Sequence, residues 1–173
     1  MMFKKHKSKI AATVLSILTV VFMTPTLSSN VMDIVVKRQV SESYNQQVEC
    51  LAKNIYFESA SETYEGKLAV AQVTLNRVNS PQYPKDVCSV VYQKTQSTCQ
   101  FSWTCNNVDT LVKNKYQWEE SLLIAKRALT QPFLHDIIAK TNALYYHATY
   151  VNPGWNKTKV VARIGNHIFY ANI

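Results

Sequence analysis

Glycine and proline are scarce, three and five among 173 residues, which excludes collagen-like and linker-like chains. Disorder is excluded as well, since 47% of the residues are apolar. No internal repeat, low-complexity tract or basic stripe is present. The pairs Lys37-Arg38 and Lys126-Arg127 stand alone and read as solvated surface, so no nucleic-acid partner is expected. No C-x-x-C pair and no helical H-x-x-x-H or H-x-x-E spacing supports a metal site, and no cofactor is expected. Acids are absent before Asp33 and thinly spread after it. The length fits one domain, expected to act as a monomer.

What charge there is lies unevenly. The chain carries +8 overall, and Lys4, Lys5, Lys7 and Lys9 crowd one end of an uncharged run at 10–23, IAATVLSILTVVFM. That run is shorter than the roughly 20 apolar residues of a spanning helix. A basic start before a short apolar run is the pattern of a secretory signal. Thr26-Leu27-Ser28 offers a small-x-small cleavage site, with an uncleaved anchor as the alternative. Membrane contact is expected only through this segment, and the protein is expected in the periplasm, the cell envelope or outside the cell. Without residues 1–28 the chain loses four lysines and keeps +4, a mild charge suited to an anionic envelope. Cys50, Cys88, Cys99 and Cys105 all lie in the exported part. An even number in an oxidising compartment reads as two disulfides, with three pairings open.

Residues 29–47 show no clear period and read as a flexible lead-in to a domain at 48–173. Val48, Leu51, Ala52 and Ile55 form one apolar stripe at helical spacing. Thr63 can cap a second helix running to about Val78, and Asn79-Ser80-Pro81 ends it. A short helix is expected over 86–92. Residues 93–115 look like a stapled functional loop around Phe101-Ser102-Trp103. Another helix is expected over 116–129, with Leu122, Ala125 and Leu129 on one side, and a turn or helix follows at 132–139. The character then turns to β: 143–147 is aromatic and strand-like, and Gly165-Asn166 marks a hairpin. Helices followed by a small antiparallel sheet give a mainly helical α+β domain. Tyr92, Trp118 and Phe169 are expected in its core.

Glu58 carries the chemistry best. Apolar and aromatic neighbours in Ile55-Tyr56-Phe57-Glu58 raise a carboxyl pKa by disfavouring the charged form. A carboxyl kept protonated near neutrality is a general acid. Glu62 follows four residues later, as a partner carboxylate if the helix continues or as a turn-fixing residue if it does not. No other second carboxylate presents itself. His147 and His167 sit in strand-like aromatic surroundings, where a hydrogen-bonded structural role is the commoner one. Trp103 and Trp155 fall in expected loops, where exposed rings can stack on sugars.

The segments CLAKNIYFESASETYEGKLAVAQVTLNRV, YPKDVCSVVYQ, CQFSWTC, YYHATYVNPGW and IGNHIFY resemble, in order and spacing, the SleB-type cell wall hydrolases, the spore-cortex-lytic and related peptidoglycan hydrolases. The resemblance covers 48–173. It implies a lysozyme-like or lytic-transglycosylase-like fold, peptidoglycan glycan strands as substrate, and Glu58 as the catalytic glutamate. Where the family usually reads E-A-R-G-E this chain has Glu58-Ser59-Ala60-Ser61-Glu62, keeping both glutamates and losing the arginine and glycine. Phe101, Ser102 and Trp103 are expected to help form the glycan cleft, with Glu62, Tyr146, His147, Trp155 and His167 as further substrate contacts. Two alternatives stand beside it: an amidase or endopeptidase using Cys50 and His147, and a wall-binding protein without activity.

Overall fold

Between Pro25 and Gly66 no glycine or proline interrupts the chain, and most of that stretch is one helix. The structure, a computed structural model, describes residues 25–105, 112–131, 140–155 and 158–172. The expected export signal therefore lies almost wholly outside the described residues, and the segment 132–139 lies outside them too. Helix α1 spans Pro25–Ser59. Its residues up to Ser43 belong to one compact unit, and Tyr44–Ile173 forms another. In the first unit residues 29–43 are exposed, with Arg38 donating to Glu42 at 2.9 Å one turn on. The lead-in expected over 29–47 is thus helical. No glycine or proline interrupts it and an i,i+4 pair supports it, and a helix that buries nothing leaves no apolar period to read. Among the described residues no helix is long and apolar enough to cross a membrane.

In the second unit the predicted stripe is buried: Val48, Leu51, Ala52 and Ile55 are at most 3% exposed. α1 ends at Ser59, whose hydroxyl donates to the Ile55 carbonyl at 2.8 Å. Thr63 then caps α2, Tyr64–Asn79, by accepting from the Gly66 amide. α2 is the central element. It buries aliphatic residues on several sides and also Lys67, Gln72, Thr74 and Arg77, with Lys67 paired to Glu120. Asp86 caps α3, Val87–Val91, through the Ser89 amide, and the Cys50–Cys88 disulfide ties α1 to α3.

Helix α4, Lys115–Thr130, starts at an Asn114 cap, and the Tyr56 hydroxyl accepts from the Lys113 and Asn114 amides at 3.1 Å each. Its buried face is Ser121, Ile124, Ala125 and Ala128 rather than the expected Leu122, Ala125 and Leu129, of which the two leucines lie at the rim, partly buried. Small residues at the centre of that face let α4 approach its neighbours closely, and a leucine there would hold it off.

The sheet is three-stranded and antiparallel, in the order β1-β3-β2. β1 is Tyr145–Ala148, β2 Thr158–Ile164 and β3 His167–Asn172. Register pairs Tyr146 with Phe169 and Ala148 with His167. The expected hairpin is present at Gly165-Asn166, where φ of +55° suits glycine. Phe169 is fully buried and Trp118 partly so, as expected, but Tyr92 is 41% exposed. It terminates α3 and meets Trp103 only edge-on.

Candidate active site

Glu58 is the next-to-last residue of α1, three residues past the buried Ile55, and its side chain is half-buried. The Tyr146 hydroxyl on β1 donates to its Oε2 at 3.0 Å. Burial raises the Glu58 pKa above the ordinary carboxylate value, and the Tyr146 hydrogen bond and the Arg77 charge partly oppose that rise. Burial pushes Tyr146 well above the usual phenol range, and Glu58 adds to the effect. The pair is therefore a phenol held in its protonated form beside a carboxyl whose burial favours its own.

Arg77 completes the group. Its Nε donates to the Leu144 carbonyl at 2.8 Å, immediately before β1. Its guanidinium lies 5.1 Å from the Phe101 ring centre and 5.4 Å from that of Tyr83. Only 3% of the residue is exposed, and its Nη1 has no partner. Sequence reasoning missed it. The signal was there: Arg77 follows Val70 and Val73 at i+7 and i+4 on a buried helix face, an unusual place for a cation.

His167 lies on the Tyr146 side of the sheet, its ring 5.3 Å away. It is 7% exposed with Nδ1 unpartnered, and burial lowers its pKa against the pull of the Glu62 charge. Glu62 does not join Glu58 on a helix face, because α1 stops at Ser59. Its Oε2 accepts from the Asn166 amide and its Oε1 from Asn166 Nδ2, both at 3.0 Å. A Cβ at Gly165 would run into that carboxylate. Glu62 thus grips the hairpin turn and fixes β3, and through it β1, beside the end of α1. This is the turn-fixing place expected of Glu62 if α1 did not continue.

The other expected residues differ in exposure and partners. Phe101 and Trp103 are 4% and 7% exposed, not open rings in a loop. Trp103 Nε1 donates to Asn54 Oδ1 at 3.3 Å, and its ring stacks on Phe57 at 4.7 Å; a buried partner for the indole N–H draws the side chain inward. Ser102 between them is exposed. His147 points to the opposite face of β1 from Tyr146. Both its nitrogens are engaged, Nδ1 with the Ala148 carbonyl and Nε2 with the Tyr170 hydroxyl. Trp155 packs against His147, Tyr145 and Tyr170 and stays 42% exposed. The cysteines pair as Cys50–Cys88 and Cys99–Cys105, leaving none free. That removes the Cys50–His147 alternative, since a bonded sulfur is no nucleophile and His147 has no nitrogen to spare.

Comparison with known proteins agrees with this architecture. Residues 61–170 match the Cell Wall Hydrolase family, a match that starts just after Glu58 and falls within 48–173. A spore cortex-lytic enzyme of Oceanobacillus iheyensis is 31% identical over 133 residues, 75% of this chain and 44% of that protein. The chain spans less than half the length of the curated relatives it matches. Among solved structures, the catalytic domain of Bacillus cereus SleB aligns with a TM-score of 0.54 at 26% identity, over 73% of this chain and 91% of that one. The catalytic domain of the germination-specific lytic transglycosylase SleB from Bacillus anthracis aligns at 0.50 with 25% identity, over 72% and 93%. The mainly helical, lysozyme-like fold expected from the sequence is the fold found. The chain belongs to the Cell Wall Hydrolase family.

Proposed function

We propose that this cell wall hydrolase is an exported glycosidase that cuts peptidoglycan between N-acetylmuramic acid and N-acetylglucosamine, with Glu58 as its single acid/base. The half-buried carboxyl held by Tyr146 carries the reading. Burial raises its pKa and so favours the protonated form a general acid needs, relative to an exposed glutamate. Glu58 gives that proton to the bridging oxygen as the bond from the muramic C1 breaks. Tyr146 and Arg77 then stabilise the carboxylate left behind. The muramic 6-hydroxyl closes on C1, and Glu58 takes the hydroxyl proton, which regenerates the acid and leaves a 1,6-anhydro end. Internal attack needs no carboxylate to orient water. Among the described residues no second carboxylate acts on Glu58, and Glu62 is occupied by Asn166.

In this reading residues 1–28 serve export and 48–173 form the catalytic domain. Exposed Ser102 serves as a substrate contact, while Arg77, Glu62 and the buried Phe101 and Trp103 hold the site in shape. The deciding measurement is mass spectrometry of muropeptides released by wild type and Glu58→Gln. Anhydromuramic ends that vanish in the variant support the scheme. Reducing muramic ends would replace the internal attack by hydrolysis. Undiminished release by a folded Glu58→Gln would remove the acid assignment, and tight binding without any release by the wild type would make the chain a wall-binding protein.

A further inference from the structure

The first part of α1 carries an exposed apolar face. Val31, Met32, Ile34, Val35 and Val36 are 44–65% exposed, on a stretch where residues 29–43 are exposed throughout. At about 100° per residue, Ser29, Asn30, Asp33 and Lys37 fall within an arc of about 100°, and the five apolar side chains take the opposite arc of about 200°. Positions 29–37 are thus amphipathic over two turns. Arg38 and Glu42, paired at 2.9 Å, then enter the apolar arc and close it, so 29–47 as a whole shows no period. Contiguous apolar surface of this kind marks a contact.

The shape and place of the face select its partner. A second copy would need a narrow seam sustained at heptad spacing, but the row begun by Met32 and Val36 continues with Gln39 and Ser43. A broad apolar arc beside a narrow polar one is the form of a helix that lies in a membrane surface. Two turns are too short to cross a bilayer. The position agrees, because the uncharged run at 10–23 ends two residues before Pro25. On export led by that run, 29–36 emerge directly beside the bilayer. Asp33 and Glu42 balance Lys37 and Arg38, so the attachment draws on apolar area and not on headgroup charge. We propose that the face at 31–36 lies on the lipid surface of the bilayer and keeps the mature chain there once cleavage after Ser28 has removed the apolar run. Membrane contact then extends beyond residues 1–28, to the helix that leads into the catalytic domain. The proposal goes beyond the glycosidase reading and does not depend on it.

The test uses the protein as exported by cells expressing the full chain, its N-terminus fixed by mass spectrometry, floated with phosphatidylethanolamine–phosphatidylglycerol vesicles. Flotation that high salt does not reverse is expected, with amide hydrogen exchange slowed by the vesicles at 31–36. The triple variant Val31→Gln/Ile34→Gln/Val35→Gln keeps good helix formers and should weaken vesicle partition about tenfold, with wall cleavage in solution unchanged. Met32→Gln/Val36→Gln is the second variant should the first lose helix by circular dichroism. No flotation, flotation reversed by salt, flotation that the glutamines leave unchanged, or protection centred elsewhere would overturn the proposal. So would a dimer in sedimentation that the glutamines abolish, because the face would then belong to a second copy. Undiminished wall cleavage by Glu58→Gln would sink the acid assignment while leaving this binding result intact.

Discussion

The two faces of β1 and β3 use aromatic and imidazole groups in opposite ways. On one face Tyr146 reaches Glu58, His167 keeps an unpartnered Nδ1, and Arg77 nearby keeps an unpartnered Nη1. On the other, His147 has spent both nitrogens, on the Ala148 carbonyl and the Tyr170 hydroxyl. Neighbours one residue apart in the chain thus differ in kind. Hydrogen-bonding capacity left open in a buried place is unfavourable for folding and is what a reacting group can use. The saturated face is satisfied within the sheet, and the unsaturated face is the one that meets Glu58.

Four substitutions break or sharpen that contrast. Glu58→Gln has the largest effect, about a 10²- to 10⁴-fold loss of wall cleavage, the usual scale of general acid–base catalysis. It should also stabilise the fold. A carboxyl whose native pKa is raised binds more protons folded than unfolded, so it lowers stability as pH rises above the unfolded value of about 4.3. The melting-temperature gain of Glu58→Gln over wild type should therefore grow from pH 4 to pH 7. A constant gain would mean that burial does not tune this group.

Arg77→Met comes next. It leaves the Leu144 carbonyl without its donor, at about 1–3 kcal/mol in chemical denaturation. Removing the cation also raises the Glu58 pKa further, so the alkaline limb of the pH–rate profile moves to higher pH. Glu62→Gln weakens the grip on Asn166 by about 1–2 kcal/mol and should lower turnover without moving that limb; a shifted limb would place Glu62 in the acid's own electrostatics. Smallest is His147→Gln on the saturated face, which should cost about 1 kcal/mol of stability and leave turnover within about twofold. A loss of turnover as large as that of Glu58→Gln would erase the distinction between the faces.

Much of the fold was legible because its signals are local. The Thr63 and Asp86 caps, the Val48 to Ile55 stripe and the Gly165-Asn166 turn each depend on a few adjacent residues, and each is where the sequence puts it. The half-buried setting of Glu58 was legible for the same reason, from its apolar neighbours. What stayed hidden depends on distant partners. Trp103 is drawn inward by Asn54, 49 positions away, and Tyr146 finds Glu58 across 88. Arg77 could be seen to be oddly placed, but its tie to the start of β1 spans 67 positions. The helix over 29–43 stayed hidden for another reason: exposed on every side, it has no buried face to imprint a period on the sequence.

The contact between Glu62 and the Gly165-Asn166 turn limits what the chain can tolerate in change. A hairpin tip is ordinarily the cheapest place in a small domain to lengthen, graft into or reopen as new termini. Here the tip is seated on the Glu62 carboxylate, which a carbon atom added at Gly165 would have to push aside, and the φ of +55° strains any other residue there. An insertion in either bend would therefore unseat the other, four positions from Glu58.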